Sequence, residues 1–343
     1  MIRPIQYLRA LAALSVVWLH VLLNMPGVTE KLGASRFYSS GVDLFFVISG
    51  FIMLVTTHGK QVTSAQFFRL RVIRVAPMYW IWTTVLAICL VGGIVSSKAG
   101  LAPTVLLQSY LFIPKSAPVL FPGWTLNYEM FFYAIFALSL APSSRLQLPS
   151  FLTVIGLLVA AGYVLKPANP ILQTYTSPLL LEFAAGSVTG YLWVRDKLKI
   201  GSAVSLLAIG VGFFLLFRWG LAPLFGKTQL LGAILVVIGC LQPALSRLQN
   251  RLFLALGDAS YSIYLTHPFT IMLLRAAWAQ HSSQLSFASA STFMALAVLL
   301  SAAAGLGLYR WVERPLTAWL RSALGGTARP SSLRPNLAPE TSQ

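Results

Sequence analysis

Long apolar segments are the feature that most constrains this chain of 343 residues. About ten stretches of roughly 15 to 25 apolar residues follow one another, and each can cross a hydrocarbon core of about 30 Å. Backbone polar groups in lipid must be satisfied within the segment, so helices are the expected spanning elements. The sequence therefore predicts an all-α, polytopic integral membrane protein.

The apolar segments predict ten spans and one short outer-surface segment at 101–113. The spans cover 5–24, 39–57, 75–95, 124–141, 151–165, 177–194, 201–218, 228–245, 254–279 and 291–312. Residues 1–320 then form one transmembrane domain, and residues 321–343, with many Pro, Ser and Arg, are expected to be a disordered cytoplasmic tail. The composition agrees, since only 10% of residues are charged against about 25% in a soluble domain.

The distribution of Lys and Arg predicts the orientation. With a cytoplasmic N-terminus, the inner side carries 17 of the 25 basic residues and the outer side seven, while Arg275 lies inside the ninth span. Basic residues accumulate on the cytoplasmic side, so both termini are expected there. The net charge of +17 then reflects topology and attraction to anionic membrane lipids, and no basic face indicates a nucleic-acid partner.

The cysteines and histidines indicate neither a disulfide nor a metal site. Cys89 and Cys240 both lie in apolar spans, where cysteine behaves as a small hydrophobic residue. The four histidines show no paired metal-ligand spacing. No metal is therefore expected.

Two ionisable residues in the first span are the most informative. In RALAALSVVWLH (9–20), Arg9 and His20 are 11 positions apart, so they lie within about 20° of one helical stripe and about 16.5 Å apart along the axis. A charge in a span costs from a few to more than ten kcal/mol unless it is partnered or hydrated. Both side chains are therefore expected to face an interior cavity.

The predicted topology sorts the other ionisable residues by depth. An outer cluster is expected to contain His20, Asp43, Glu129, Glu182 and Arg218. An inner group is expected to contain Arg9, Arg69, Arg71, Arg74, Asp258, Arg310, Glu313 and Arg314. The planar guanidinium suits phosphate, so a molecule with a phosphate-rich head and a reactive end about 15 to 20 Å away, such as a coenzyme A thioester, would fit the stripe. The alternative is that the arginines of 69–74 only enforce orientation.

Several motifs resemble those of the membrane acyltransferase 3 family. Arg9 and His20 resemble its arginine–x10–histidine motif. Further signatures follow in the expected order over residues 3–320: GVDLFFVISGF (41–51), RLRVIRVAPMYW (69–80), GWTLNYEMFFY (123–133), DASYSIYLTHP (258–268) and YRWVERP (309–315). IQYLRALAAL (5–14) and GWTLNYEMFFY look most like the exopolysaccharide O-acetyltransferase branch.

The resemblance implies transfer of an acyl group, commonly acetyl, from acetyl-CoA or another acyl-CoA to a carbohydrate hydroxyl at the bacterial cytoplasmic (inner) membrane. The acceptor would be a carbohydrate or a lipid-linked saccharide, and the polysaccharide biosynthesis machinery is a further expected partner. His20 would be the general base, because imidazole exchanges protons near neutral pH. Asp43 would hold its tautomer.

The other expected site residues divide between the two substrates. Glu129 would bind sugar hydroxyls or orient His20. Donor binding is expected from Arg9, Arg69, Arg71 and Arg74, and acceptor binding from Trp124, Asn127, Tyr128 and Glu182.

Each of these roles has an alternative that the sequence leaves open. His20 could carry the acyl group covalently, and Asp43 could cap a helix N-terminus. Glu129 could be a structural partner of Trp124 or Tyr128, and Glu182 could pair with Arg218. His267, next to Pro268, is expected to bond a freed helix carbonyl.

A different class of protein also remains open. In a transporter or flippase for an anionic or glycolipid substrate, His20 and Asp43 would form a proton relay. The absence of paired halves with matching broken helices argues against that reading. A membrane scaffold without catalysis does not account for so many charges inside the spans.

Overall fold

A computed structural model describes residues 2–24, 40–95, 101–140, 146–217, 228–279 and 287–324. Within these ranges the chain is helical and contains no strand. The helices are α1 (Arg3–Leu23), α2 (Ser40–Thr57), α3 (Ser64–Val91), α4 (Pro103–Tyr110), α5 (Gly123–Ser139), α6 (Gln147–Leu165), α7 (Pro170–Tyr175), α8 (Leu180–Val194), α9 (Ser202–Phe217), α10 (Gln229–Cys240), α11 (Pro243–Ser246), α12 (Arg251–Asp258), α13 (Ser260–Ala279), α14 (Phe287–Leu308) and α15 (Arg314–Leu324). A π-helical turn, Tyr309–Glu313, joins the last two.

The all-α class is confirmed for the described ranges, and five of their helices are long and apolar enough to cross a membrane. These are α1, α2, α3, α6 and the continuous segment Ser289–Leu324. Each of the ten predicted spans coincides with a helix, but several are shorter than the roughly 20 residues that a span needs; α5 has 17, α8 has 15 and α10 has 12. By length and composition the protein is a multi-pass membrane protein.

Some boundaries differ from the predicted ones. Helix α3 begins at Ser64, 11 residues before the predicted span, because the Thr63 side chain accepts a hydrogen bond from the Gln66 amide at 3.2 Å and caps it. The segment 101–113 contains only the short helix α4, as expected of a non-spanning segment. Helix α15 runs four residues past the predicted domain end at 320, and residues 325–343 of the predicted tail lie outside the described residues.

Helix α1 lies at the centre of the bundle, where it contacts α2, α12, α13 and α14. Ala10, Ala13 and Val17 are fully buried against these helices, whereas Leu11, Trp18 and Leu23 are exposed. Arg9 belongs to the buried part of α1, and His20 is half-buried against His267 of α13. Arg9 and His20 therefore face protein, as the helical stripe predicts.

Helices α2 and α8 approach each other more closely than any side chain would permit. A Cβ on Gly50 would overlap the carbonyl oxygen of Phe183, and one on Gly186 would overlap that of Val47. Small residues allow such close backbone contact in membrane bundles. The two helices run in the same direction, so the first turn of α2 lies beside the first turn of α8.

The relative directions of the central helices follow from their contacts. Helix α13 runs in the same direction as α1, because its first turn lies near Arg9 and its middle contacts His20. Helix α2 runs in the opposite direction, since Gly41 lies against Ala12 and Val16, whereas Met53 lines the same cavity as Arg9. The same relative directions follow from the predicted order of spans.

Candidate functional site

A cavity lies between α1, α2, α3, α5 and α13. About 750 Å³ of empty space lies between its walls, a figure that includes open solvent at the mouth. Its charged lining residues are Arg9, Arg71, Arg74 and Glu129. Three arginines against one carboxylate make the cavity electropositive.

Arg9 is a buried cation without an ion-pair partner in the described part of the chain. Its side chain is 9% exposed, and its guanidinium donates one long hydrogen bond, 3.4 Å, to Gln6 Oε1. Arg74, Glu313, Asp258 and Glu129 are its charged neighbours, yet none of the carboxylates forms a salt bridge with it. A buried charge is costly unless it is paired, so this guanidinium is poised to bind an anion.

The arginines of α3 divide into two groups. Arg71 lies over the rings of Phe67 and Tyr133, at 5.3 Å and 6.0 Å from their centroids, and its buried Nε has no partner among the described residues. Arg74 lines the same cavity. Arg69 is exposed and does not line it, because two residues correspond to a rotation of about 200° around a helix.

Glu129 lies in this cavity rather than beside His20. Its Oε1 accepts hydrogen bonds from Ser49 Oγ, at 3.0 Å, and from the hydroxyl of Tyr133. The residue is six positions into α5, which places it about 9 Å below the start of that helix. The sequence predicts Glu129 in the outer cluster with His20, whereas in the structure it lies deeper, in the cavity with Arg9.

A pair of histidines lies further along α1. Nδ1 of His20 is 2.7 Å from Nε2 of His267, and the two rings are nearly parallel with centroids 4.8 Å apart. His20 is half-buried, with its ring edge-on to Phe121 at 5.5 Å, whereas His267 is 1% exposed. His267 Nδ1 is 2.7 Å from the Tyr264 carbonyl oxygen, so the expected bond to a helix carbonyl is confirmed.

Asp43 lies in the first turn of α2, and the side chain of Glu182, in the first turn of α8, is its carboxyl neighbour. The structure thus places Asp43 with Glu182 and gives His20 a different partner. Arg218, the other expected partner of Glu182, lies outside the described residues.

Tyr264 separates the cavity from the histidine pair. It lines the cavity, and its ring centroid lies 6.0 Å from that of His267. Its hydroxyl is 2.7 Å from Thr125 Oγ1, and its ring packs edge-on against Phe45 at 5.8 Å. A ligand that extends from the arginines to His20 must pass this tyrosine.

Three of the four expected acceptor residues lie on α5, and the fourth, Glu182, lies on α8. Trp124 and Tyr128 are partly buried and pack edge to face at 6.1 Å, and Tyr128 also contacts Phe46 at 6.0 Å. Asn127 is 4% exposed. These contacts leave the two aromatic side chains partly accessible near the end of α5 that lies closest to Phe121.

The remaining residues of the predicted inner group lie in the π-helical turn or close to it. Glu313 is buried and accepts a hydrogen bond of 2.6 Å from Ser262 Oγ, whereas Arg310 and Arg314 are exposed. Asp258 is half-buried at the end of α12. Glu313 therefore ties the turn to α13, and the two exposed arginines take no part in the cavity.

The first helix carries an unpaired arginine, Arg9, and a histidine, His20, on one stripe. This is the arrangement that the arginine–x10–histidine motif predicts. A family model described as an acyltransferase domain matches residues 3–310. The chain therefore belongs to the membrane acyltransferase 3 family.

One relative is the exopolysaccharide production protein ExoZ of Rhizobium meliloti (strain 1021). It is 38% identical to this chain over 296 residues, which cover 81% of this chain and 89% of the relative. The resemblance to the family is confirmed by both comparisons. No solved structure gives a significant match.

Proposed function

We propose that this acyltransferase moves an acetyl group from acetyl-CoA to a hydroxyl of an exopolysaccharide carbohydrate or its lipid-linked precursor. The similarity to an exopolysaccharide production protein supports the class of acceptor. The observation that carries the proposal is the unpaired, buried guanidinium of Arg9, which lines an arginine-rich cavity and lies on the same helical stripe as His20. Such a protein would work beside the polysaccharide biosynthesis machinery of the bacterial inner membrane.

The cavity supports a donor with phosphate groups. The guanidinium groups of Arg9, Arg71 and Arg74 present planar sets of donors, and Arg71 Nε lacks a partner in the described ranges. The pantetheine arm of acetyl-CoA would then extend along α1 toward His20. The span from Arg9 to His20 is about 16.5 Å along the helix axis.

The chemistry needs one base. The sugar hydroxyl oxygen attacks the thioester carbonyl carbon while His20 Nε2 takes the hydroxyl proton. The C–S bond then breaks, and the thiolate of coenzyme A leaves and takes the proton back from the imidazolium. His20 Nε2 makes no hydrogen bond within the described residues, so it is open to a substrate. Proton transfer of this kind contributes about 10² to 10⁴ in rate.

The remaining expected site residues are proposed to act on the acceptor. Trp124, Asn127 and Tyr128 lie on α5, about 1.4 to 2.5 helical turns before the cavity residue Tyr133. The carboxyl pair of Asp43 and Glu182 lies at the start of α2 and α8. Carboxyl oxygens accept hydrogen bonds from hydroxyl groups, so this pair would orient the sugar.

We further propose ten membrane spans with both termini in the cytoplasm. The charge bias of 17 basic residues on the inner side supports this topology, as do the relative directions of α1, α2, α8 and α13. The arginine cavity then lies toward the cytoplasm, where acyl-CoA is made, and His20 lies toward the outer side.

Loss of the gene is expected to remove acetyl groups from the cell's exopolysaccharide. Mass spectrometry of polysaccharide from cells with and without the gene checks this, and re-expression of the wild-type protein restores the acetyl groups. Cells complemented with a His20→Ala variant serve as the matched control. An unchanged acyl content with a loss of polysaccharide export would instead favour the flippase reading.

A further inference from the structure

The position of His267 follows from a local break in α13. Pro268 has no amide hydrogen, so the carbonyl of Tyr264, four residues earlier, lacks its usual helical donor. Nδ1 of His267 lies 2.7 Å from this oxygen and takes the place of the missing donor. The ring of His267 is thereby held against the helix in one orientation.

This contact fixes where the protons lie in the histidine pair. A carbonyl oxygen only accepts, so His267 Nδ1 carries the hydrogen, and in a neutral imidazole Nε2 then has a lone pair. Nε2 of His267 faces Nδ1 of His20 at 2.7 Å, so His20 Nδ1 must be the donor. Nε2 of His20 is then left with a free lone pair, the form that a base requires.

We propose that His267 is a positioning residue that fixes the tautomer and ring orientation of His20 for catalysis. The proposal rests on His20 acting as the base in the proposed function. His267 would replace the carboxylate that usually orients a catalytic histidine. When His20 Nε2 takes the substrate proton, Nε2 of His267 still accepts the hydrogen bond from His20 Nδ1.

A neutral partner suits this place in the protein. His267 is 1% exposed, and its neighbours Ile263 and Leu265 are fully buried. A carboxylate there would lose its hydration, at a cost of several kcal/mol per ion. An imidazole whose Nδ1–H is already bonded to a carbonyl oxygen carries no charge and leaves no buried polar atom without a partner.

The alternative is that His267 only stabilises α13 by bonding the carbonyl of Tyr264. Two variants separate these roles. His267→Asn places an amide NH₂ near the position of Nδ1 and keeps the bond to the carbonyl, but has no acceptor at the position of Nε2. His267→Gln reaches the position of Nε2 with an amide oxygen and can accept from His20.

The experiment measures kcat, KM for acetyl-CoA and the melting temperature of both variants in detergent. We expect His267→Gln to keep kcat within about tenfold of the wild type and His267→Asn to lose about 100-fold or more, with KM unchanged in both. Equal kcat values for the two variants, or a higher value for His267→Asn, overturn the proposal. If His267 is purely structural, His267→Asn has the higher kcat and the higher melting temperature of the two variants.

A measurement on the wild-type protein covers the case in which a variant fails to fold. Solid-state NMR of protein labelled with ¹⁵N-histidine, with His20 assigned by its loss in His20→Ala, reports the protonation of each ring nitrogen. We expect Nδ1 protonated and Nε2 bare in both His20 and His267. His20 protonated at Nε2 overturns the inference alone, whereas wild-type transfer by His20→Ala overturns the proposed function.

Discussion

Replacement of His20 by alanine is expected to lower acetyl transfer by about 10² to 10⁴ in kcat and to leave acetyl-CoA binding unchanged. Nε2 of His20 has no hydrogen-bond partner among the described residues, and His20 does not line the arginine cavity. Loss of the base therefore affects the chemical step and not the binding of the donor. The measurement is transfer of radiolabelled acetyl from acetyl-CoA to carbohydrate, with donor binding measured on the same preparation.

The matched control is His58→Ala. His58 lies just past the end of α2, where its ring contacts Tyr191 at 6.0 Å, and it does not line the cavity. Its removal is expected to leave kcat unchanged. Transfer at the wild-type rate by His20→Ala would reject His20 as the base. Label that stays on the wild-type protein without acceptor, and is absent from His20→Ala, would replace the direct route by an acyl-histidine.

Replacement of Arg71 by alanine is expected to weaken acetyl-CoA binding by about 10- to 150-fold. A hydrogen bond to a charged group contributes about 1.5 to 3 kcal/mol, and the buried Nε of Arg71 has no other partner in the described ranges. Arg9→Ala is expected to act in the same direction. Binding of labelled acetyl-CoA to the purified protein gives the dissociation constants directly.

Arg69→Ala is the matched control for the arginine prediction. Arg69 lies on the same helix and carries the same charge, but it is exposed and turned away from the cavity. Its removal is expected to change donor binding by less than about twofold, as for an exposed charge. Equal effects of Arg69→Ala and Arg71→Ala would mean that general positive charge, and not the cavity, attracts the donor.

The sequence alone was sufficient to predict what depends on one helix. The spacing of Arg9 and His20 predicts a shared face, and in the structure both side chains face α13. Pro268, which follows His267, was equally informative, because a proline in a helix predicts the bond between His267 and a free helix carbonyl. These features follow from helical periodicity and from the missing amide of proline.

Contacts between distant helices could not be predicted in the same way. The pairing of His20 with His267 joins residues 247 positions apart, and it depends on how far α13 is shifted along α1. The depth of Glu129 depends similarly on where α5 starts. A shift of one helical turn moves a side chain by about 5.4 Å, which is enough to exchange one partner for another.

The division of the α3 arginines was, in contrast, within reach of the sequence. Arg71 and Arg74 are three positions apart and share a face, whereas Arg69 is about 200° away from Arg71. The prediction that all three bind the donor treated them as one cluster. The structure places only Arg71 and Arg74 in the cavity.

The central claim is that the donor enters the arginine cavity from one side of the membrane and the acceptor meets His20 at the other side. Sealed vesicles that contain the protein, with radiolabelled acetyl-CoA inside and carbohydrate acceptor outside, test it most directly. We expect labelled acetyl groups on the outer carbohydrate and none with vesicles that lack the protein. Transfer that occurs only when acetyl-CoA and carbohydrate are on the same side would contradict the claim.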